Sequence, residues 1–390
     1  MQEAIGANLD LIAEKQNVPI AKAREIQAAL RPNPTLSFMW DYLDWLRRGL
    51  SADNSAGPSE WIPQFNYIWE TAGKRQKRIA VAQLATSAAE LRLADSIRQL
   101  TLSVRLACVE FLLARENLSL ARQNLEVFDN ILRVNESRVK AGDLAGVELI
   151  RTRVAKQQLE TAMAQAGLRL QTARNNLQQL LGRKLKDPNF DLSGNLAESA
   201  GGPASLDELK ESALSTRPDL LALQKDRERG AADTRLQTAM ARPDVTTGLL
   251  YHHQYGYSNG RTFGVFLSTE LPIYERNQGE IARAQRETRQ SELRATALET
   301  TISTEVENAW QQWMTARNLM ERIRSSLLAE ARQVRDITEF SYRRGEASLL
   351  EFLDAQRAYI DAMQSYNDAR ADLTRSLYLI DAVSGKKVTP

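Results

Sequence analysis

Two very long stretches of the chain carry apolar residues at helical spacing. The first, from about residue 74 to residue 140, contains neither proline nor glycine, and its apolar stripe is Leu102, Leu106, Val109, Leu113 and Leu120. The second, from about residue 281 to residue 344, has the stripe Ile302, Val306, Ala309, Trp313 and Met320. A run of this length predicts a helix of roughly 95 Å at about 1.5 Å per residue. Such helices are typical of coiled coils and helical barrels.

Each long stretch stops at a glycine and is followed by a second helical pattern. Gly142 and Gly345 occupy the stops, and glycine is the usual residue just past a helix end. An acidic residue follows each glycine, which suits the start of the next helix. The next helical patterns cover about 146–181 and 348–383. We therefore expect two long helical hairpins, at about 74–182 and 278–384.

The two hairpins belong to an internal repeat. Residues are identical at an offset of 202 in the first part of each unit and of 203 in the second part, for example Val104 and Val306, Arg115 and Arg317, Gly142 and Gly345, Glu148 and Glu351. One inserted residue separates the two registers. The sequence therefore predicts a tandem duplication, 1–200 and 201–390, joined by an irregular connector rich in glycine and proline. In the first repeat an N-terminal helix comes before the hairpins, and in the second repeat a helix at about 206–241 does so.

Before each helical hairpin the pattern changes to strict alternation, which predicts β-hairpins at about 34–70 and 244–273. The alternating apolar positions are Phe38, Trp40, Tyr42, Trp61, Phe65, Tyr67 and Trp69 in the first, and Leu249, Tyr251, Tyr255, Tyr257, Phe263, Val265, Leu267, Leu271 and Ile273 in the second. A turn is expected at 258–260. The opposite face offers Asp41, Gln64, Asn66, Glu70, Gln254, Ser268 and Glu270.

Strands of about ten residues with an aromatic face and a polar face suit a membrane-spanning barrel. The same pattern also fits two soluble hairpins packed on helices. Four strands cannot close a barrel, because the smallest transmembrane barrels have about eight, and open strand edges cannot face lipid. If the strands span a membrane, the chain must therefore oligomerise.

Composition narrows the chemistry further. The 51 basic and 49 acidic residues leave a formal charge of +2, which argues against a nucleic-acid-binding surface. The single cysteine, Cys108, excludes an internal disulfide, and we expect it to be a small core residue. His252 and His253 are adjacent on a strand, so they should face opposite sides and be solvent-exposed rather than share a metal. No nucleophile–base pattern, phosphate loop or metal-ligand motif is present, so we expect no enzyme and no cofactor.

The order of elements and several motifs resemble the outer-membrane efflux proteins, the TolC-like family. The segment from Arg31 to Ser37 (RPNPTLS) resembles the family's first-strand start, and Ala72 to Arg75 (AGKR) resembles the step into the first long helix. The segments from Leu271 to Ile281 (LPIYERNQGEI) and from Tyr342 to Gln356 (YRRGEASLLEFLDAQ) are similar to the matching step and tip of the second repeat. The AGKR segment is closest to the heavy-metal efflux branch.

This resemblance implies a homotrimer. Each copy would give four strands to a 12-stranded outer-membrane β-barrel and its helices to a periplasmic α-barrel. The implied function is the exit channel of a tripartite efflux system, with a periplasmic adaptor (membrane fusion protein) and an inner-membrane pump as partners, passing small solutes such as heavy-metal cations. The hairpin aromatics would contact outer-membrane lipid as interface anchors, namely Trp40, Trp61, Tyr67, Trp69, Tyr251 and Tyr257.

The first residues show no basic segment followed by an apolar one, whereas members of this family carry a signal peptide. The segment from Glu3 to Leu11 resembles the start of the mature periplasmic helix. We therefore expect a truncated, mature or misassigned start rather than a cytoplasmic protein.

The resemblance also places a gate at the helical tips. Glu351 and Asp354 are three residues apart and share a helix face; in a trimer they would form a ring of six carboxylates that favours cations and whose crowding raises their pKa values. Tyr342 and Glu148 match a tyrosine and its acidic acceptor, which predicts a hydrogen bond between them in the closed state. One example of the family has an arginine two residues after the tip glycine, where this sequence has Ala347. That part of the lock is therefore expected to be absent, or replaced by Arg343 or Arg344.

The tips themselves are the expected adaptor-docking surface, comprising Gly142, Asp143, Arg343, Arg344, Gly345 and Ala347.

Two other kinds of protein remain compatible with parts of the pattern. A soluble coiled-coil scaffold or periplasmic tether would explain the long helices but not the aromatic strands. A periplasmic adaptor usually has one helical hairpin flanked by β-rich domains rather than a duplicated unit.

Overall fold

The computed structural model describes residues 1–41, 60–184, 187–196, 205–254 and 260–385. Within these ranges the chain is mainly helical, with one small antiparallel sheet. The elements are α1 (Gln2–Ala7), α2 (Leu9–Lys15), α3 (Asn17–Ala29), β1 (Thr35–Asp41), β2 (Glu60–Trp69), α4 (Lys74–Ala141), α5 (Gly146–Leu180), α6 (Leu206–Thr216), α7 (Pro218–Met240), β3 (Val245–Gln254), β4 (Gly260–Thr269), α8 (Gln278–Arg322), α9 (Leu328–Arg344) and α10 (Leu349–Ser384), with a π-helical turn at Ile323–Leu327.

The chain forms two compact units. A helical unit comprises Met1–Lys15, Leu93–Leu220 and Leu298–Pro390, and a sheet unit comprises Gln16–Arg92 and Leu221–Ala297. Each unit contains parts of both sequence repeats. The compact units therefore cut across the duplication, while the division of the sequence at residue 200 stays a prediction about the repeat.

In the helical unit, the predicted stripe of the second repeat forms the core. Ile302, Val306, Ala309, Trp313 and Met320 are all buried and pack with α6 and α10. In α4 the predicted stripe is confirmed only in part. Val109 and Leu120 are buried, whereas Leu102, Leu106 and Leu113 are half-buried. Other buried positions of α4 are Val104, Phe111 and Leu118, which are spaced seven residues apart. Cys108 packs half-buried against this core, and burial raises the pKa of its thiol.

The two long helices differ at one point. The first, α4, is continuous over 68 residues, whereas the second contains the π-helical turn between α8 and α9. The repeat offset changes from 202 to 203 between Arg317 and Gly345, and the π turn lies inside this interval. A π turn holds one more residue than an α turn. It therefore accommodates the inserted residue without interrupting the helix.

Both hairpin tips end in the same backbone motif. Gly142 and Gly345 adopt left-handed conformations, with φ of +84° and +82°. The next amide donates back five residues at each tip, from Asp143 to the Arg138 carbonyl (2.8 Å) and from Glu346 to the Ser341 carbonyl (2.9 Å). These are Schellman caps, which favour glycine because a side chain would be strained there. The predicted glycine stops are confirmed.

The sheet unit contains four antiparallel strands in the order β1-β2-β3-β4. The register aligns Trp40 with Trp61 and Trp61 with His253, so even positions of β1 share a face with odd positions of β2 and β3. This face is apolar and aromatic. It carries Leu36, Phe38, Trp40, Trp61, Phe65, Tyr67, Trp69, Val245, Leu249, Tyr251, Phe263, Val265 and Leu267.

Three details of the predicted elements differ from the structure or lie outside it. The helix expected at 206–241 is broken at Arg217, which is extended (ψ 123°) because Pro218 disfavours helical geometry in the preceding residue. Strand β4 ends at Thr269, so Leu271 and Ile273 lie beyond it; Pro272 between them cannot donate a ladder hydrogen bond. The positions Tyr42, Tyr255 and Tyr257 fall outside the described residues.

Candidate functional site

A chain of buried polar groups links the two helical hairpins near their tips. The Tyr342 hydroxyl donates to Asn135 Oδ1 (2.7 Å), Asn135 Nδ2 donates to Thr152 Oγ1 (2.8 Å), and Thr152 donates to the Glu148 carbonyl (2.8 Å). Asn135 and Thr152 are fully buried, and Tyr342 is 2% exposed. Buried polar groups need partners, so each of these side chains helps to fix the position of the others.

The Tyr342 side chain is also held by its neighbours. Its ring stacks on Phe352, with centroids 5.3 Å apart. The Arg138 guanidinium lies 6.0 Å from the ring centroid and donates to the Tyr342 carbonyl (3.3 Å). Burial raises the pKa of the Tyr342 hydroxyl above its usual range. The hydroxyl therefore remains a hydrogen-bond donor well beyond neutral pH.

The predicted hydrogen bond between Tyr342 and Glu148 is wrong for this chain. Asn135 takes the tyrosine hydroxyl instead, while Glu148 Oε1 accepts from Arg151 (3.1 Å). Glu148 Oε2 is buried with no hydrogen-bond partner among the described residues. Asn135, on α4, takes up the Tyr342 hydroxyl, and Glu148 joins the chain of polar groups through its backbone carbonyl.

Three residues of this polar chain, Asn135, Thr152 and Arg138, were not predicted from the sequence. A signal was present for the first, since Asn135 continues the buried row of Phe128 and Ile131 at helical spacing. A polar residue in a buried row of a coiled coil commonly specifies register. Thr152 carried no comparable signal, because threonine in an exposed-looking helix is common.

The two carboxylates proposed for the gate lie at the start of α10. Glu351 is the fourth residue of a capping box: its Oε2 accepts from the Ser348 amide (2.7 Å) and hydroxyl (3.0 Å), while Ser348 Oγ accepts from the Glu351 amide (3.2 Å). These bonds hold the pKa of Glu351 below its usual value. The expected rise in its pKa concerns the ring formed by three copies and stays a prediction. Asp354 is exposed one turn further along the helix.

The remaining tip residues form an exposed surface. Gly142, Asp143, Arg343, Arg344 and Gly345 are exposed, and Ala347 is half-buried. Arg343 pairs with Glu339 (2.6 Å), and Arg344 lies over the Phe340 ring (4.3 Å). The arginine that contacts Tyr342 is Arg138, from the first repeat. The replacement of the lock arginine by Arg343 or Arg344 stays a prediction.

On the sheet, the predicted interface aromatics fall into two groups. Trp40, Trp61 and Tyr251 lie near the end formed by residues 41, 60 and 254, with Trp61 and Tyr251 in edge contact (5.8 Å). Tyr67 and Trp69 lie near the opposite end, in edge contact at 4.9 Å. The strand from Trp61 to Trp69 spans about 26 Å at roughly 3.3 Å per residue. This distance is close to the apolar band of about 25 Å in outer-membrane barrels.

Between the two aromatic groups the surface is apolar and exposed. Phe65, Leu249 and Val265 are in register across three strands and are 46%, 60% and 79% exposed. An exposed apolar area of this kind marks a protein or membrane contact. Among the described helices, none has an apolar stretch long enough to cross a membrane.

The opposite sheet face carries a polar cluster. Glu60 Oε2 lies 2.9 Å from His252 Nε2, and Glu60 Oε1 accepts from Gln254 (2.8 Å). His253 points to the aromatic face and stacks on Tyr251. The two histidines do face opposite sides, but the expectation that both are solvent-exposed is wrong, since His253 is 7% exposed. The described residues contain no group of three or more side chains suited to a metal.

The segments that follow each β-hairpin are fixed by ion pairs and turns. Lys74 is 4% exposed and pairs with Asp244 at 2.7 Å, and the Thr71 amide donates to the same carboxylate (2.8 Å). Asn277, in the second segment, has a positive φ of 57° and donates to the Gln237 carbonyl (2.9 Å). The motifs singled out in the sequence therefore set the geometry where strands pass into long helices.

Comparison with known proteins agrees with this arrangement. The model of the "Outer membrane efflux protein" family matches residues 1–183 and 209–386. The cobalt-zinc-cadmium resistance protein CzcC of Cupriavidus metallidurans is 25% identical over 98% of this chain and 88% of that protein.

Solved structures share the fold. The structure of CusC, described in terms of transmembrane channel formation, superposes with a TM-score of 0.80 at 18% identity over 99% of this chain and 91% of its own. The CmeC outer membrane channel of Campylobacter jejuni gives 0.80 at 15% identity over 100% and 85%. These TolC-like channels and the family match lead to one conclusion: the chain belongs to the outer membrane efflux protein family, whose members are channels rather than enzymes.

Proposed function

We propose that this protein is the outer-membrane exit channel of a tripartite efflux system and passes heavy-metal cations. The observation that carries the proposal is the sheet, whose exposed apolar face spans about 26 Å between two aromatic groups. Strands β1 and β4 are the sheet edges, and open edges cannot face lipid. Three copies would supply 12 strands and close the wall.

The helical unit supports assembly with further copies. Val334, Ile337 and Phe340 on α9 are 53%, 58% and 55% exposed and follow one another at helical spacing. Apolar side chains at such positions are typical of surfaces that pack against another helix. In the proposed trimer these residues contact a neighbouring copy and continue the helical wall into the periplasm.

The cargo proposal rests on charge and on kinship. Glu351 and Asp354 are exposed on the first turns of α10, so three copies would present six carboxylates, and acidic rings favour cations. The related CzcC is a cobalt-zinc-cadmium resistance protein by name. In the proposed mechanism the closed state is maintained by the chain Tyr342, Asn135 and Thr152, and adaptor docking at the tips releases it. In this proposal, the inner-membrane pump and the periplasmic adaptor are the channel's partners.

The test is single-channel conductance of the purified oligomer in a planar bilayer, with divalent cation titrated on the side of the tips. We expect a cation-selective pore that divalent cations block. The double variant Glu351→Gln, Asp354→Asn should lose most of the block, because the ring loses its charge. Glu330→Gln, which removes an exposed carboxylate from α9, is the matched control and should retain it.

Two results would contradict the proposal. A folded, verified oligomer that forms no pore would favour a soluble helical scaffold or tether. If the double variant forms a pore whose block by divalent cations is unchanged, the carboxylate ring is not the gate, although the protein is still a channel.

A second test addresses adaptor docking. A bulky residue at Gly345 is a poor probe, because its φ is +82° and a Cβ there would lie 2.9 Å from Arg138 Nη2. Asp143→Lys and Arg343→Glu instead change exposed side chains. We expect them to reduce metal resistance in cells while oligomer yield stays constant, and unchanged resistance would place docking elsewhere.

A further inference from the structure

Pairs of amide side chains interrupt the contact between α4 and α10 in the helical unit. Asn367 Nδ2 donates to Asn117 Oδ1 (3.0 Å), and nearer to the tips Gln356 Nε2 donates to Asn124 Oδ1 (3.0 Å). The next contact toward the tips is between two aromatic rings. A polar pair in such a row specifies the register of two helices at a cost in stability. The two amide pairs can therefore be compared for what each costs.

The pair nearer to the tips leaves one polar atom unsatisfied. Gln356 is 1% exposed and Asn124 is 4% exposed. Gln356 Oε1 is excluded from solvent and accepts no hydrogen bond within the described part of the chain. Neither Asn117 nor Asn367 has a buried side-chain atom of this kind among the described residues. The two pairs thus make the same bond, but the pair nearer to the tips also buries an unpaired acceptor.

An unpaired buried acceptor destabilises the packing that buries it, because the same oxygen accepts hydrogen bonds from water once it is exposed. The penalty for one such atom corresponds to a factor of roughly 5 to 150 in the equilibrium between the packed arrangement and one in which water reaches the amide. No group at the surface of the packed arrangement can donate to this oxygen, since the oxygen is not accessible. The penalty is therefore removed when α10 moves relative to α4.

Gln356 lies on the same helix as the proposed gate. It follows Asp354 by two residues and Glu351 by five, and all three belong to the first turns of α10. A displacement of these turns that moves the carboxylates also moves Gln356 relative to Asn124, because consecutive turns of one helix move together. The buried amide is thus coupled to the gate through the helix that carries both.

We propose that the Gln356 amide opposes the closed packing of α10 on α4 and so makes the gate easier to open. It acts against Asn135, whose bonds to Tyr342 and Thr152 hold the tips together. The inference rests on the proposed channel function and deepens it, since it names a residue that regulates opening without belonging to the ring of carboxylates. The balance between a satisfied and an unsatisfied amide sets how readily the closed state is left.

The test combines hydrogen–deuterium exchange of the purified oligomer, read over residues 349–360, with basal conductance in a planar bilayer. The double variant Asn124→Ala, Gln356→Met removes the unpaired oxygen together with its bond and roughly conserves the summed side-chain volume. Replacing both partners by apolar groups is neutral or stabilising where it also removes an unsatisfied atom. We expect exchange about 2- to 10-fold slower than in the parent, and basal conductance lower by a similar factor.

Two further variants separate this effect from other consequences of the changes. Asn124→Ala alone has the same gain in helix propensity but leaves the whole Gln356 amide unpaired, so exchange and conductance should both increase. Asn117→Ala, Asn367→Leu removes the other amide pair, which buries no unpaired acceptor among the described residues, and should exchange no more slowly than the parent. If the first double variant does not assemble, Asn124→Ala tests the proposal with the opposite sign.

Three results would overturn the proposal. Exchange as fast as in the parent for the variant at 124 and 356 would mean that Gln356 Oε1 is satisfied by a bound water. Slower exchange in both double variants would be an effect of apolar substitution in general. Slower exchange with unchanged basal conductance would separate this pair from the gate.

The two measurements also distinguish failure of this proposal from failure of the channel function. Exchange is read without a pore. A protein that conducts in no variant contradicts the channel function, whereas the exchange result still decides whether Gln356 opposes the packing of α10 on α4.

Discussion

At the residue scale, the tip of the molecule depends on an amide that sits in an otherwise apolar row. Asn135 is fully buried between Tyr342 and Thr152 and bonds to both. Because a buried amide without partners is costly, the arrangement of α4, α5 and α9 that satisfies Asn135 is favoured over nearby alternatives. A leucine at this position would be compatible with many arrangements of these helices. The polar residue therefore specifies one helix arrangement.

Removing one hydroxyl should open the proposed channel. Tyr342→Phe leaves Asn135 Oδ1 buried without its donor, which costs about 1–3 kcal/mol in the closed arrangement. This corresponds to a shift of roughly 5- to 150-fold toward the open state, measured as basal conductance. Tyr359→Phe is the control, since that ring packs under Arg335 at 4.1 Å in the same helical unit. Equal basal conductance in parent and Tyr342→Phe would contradict this role.

The capping box predicts a shift in pH dependence. Ser348 lowers the pKa of Glu351 from its ordinary value of 4.5, so the carboxylate stays charged above that value and its contribution is lost as pH falls through the lowered pKa. Ser348→Ala removes the hydroxyl bond and should raise this pKa toward 4.5. Divalent block of the conductance should then disappear at a higher pH than in the parent. An identical acid midpoint for block would show that the ring, not Ser348, controls the charge of Glu351.

At the element scale, the π-helical turn adjusts the second long helix to the first. One added residue rotates the following helix by about 100° relative to an uninterrupted α-helix. The π turn takes up this rotation at Ile323–Leu327. Downstream, Tyr342 faces Asn135. The insertion and the tip contact are therefore linked through helix geometry.

Deleting Ser325 tests this link. With one residue fewer, the π turn becomes an α turn and the residues after it keep their face, so Tyr342 should still meet Asn135. We expect this deletion to have the basal conductance of the parent. Deleting Gln333, within α9 itself, should instead rotate the following residues by about 100° and raise the basal conductance, with no further increase when Tyr342→Phe is added. If the two deletions behave alike, the π turn does not set this contact.

At the scale of the whole molecule, we propose that the apolar face of the sheet contacts lipid and so holds the protein in the outer membrane. Val265→Lys places a charge at the middle of the apolar face, at a cost of about 2–4 kcal/mol in a bilayer. Gln64→Lys is at the same depth, since residues 65, 249 and 265 are in register, but faces the polar side. We expect Val265→Lys to reduce oligomer in the outer-membrane fraction and Gln64→Lys to have little effect. Equal insertion of both variants would argue against lipid contact by this face.

Local sequence is enough to define the elements and the family of this chain. Helical and alternating periods are local properties, so the two long helical hairpins, the glycine stops and the aromatic strand faces follow directly from them. The duplication and the motifs at the tips and strand ends indicate the efflux family without knowledge of any tertiary contact. The break at Arg217 was also readable in the adjacent Pro218, although the prediction overlooked it.

Which residues meet is a property of the tertiary packing. The choice of Asn135 over Glu148 as partner of Tyr342 depends on the relative rotation of α4 and α9, and a pattern within one helix does not contain that angle. The same holds for α4, where Val109 of the predicted stripe is buried but Val104 and Phe111 are buried in place of Leu102 and Leu106. Local periodicity defines what each element is, whereas packing between distant segments defines which side chains are left in contact, buried or unpaired.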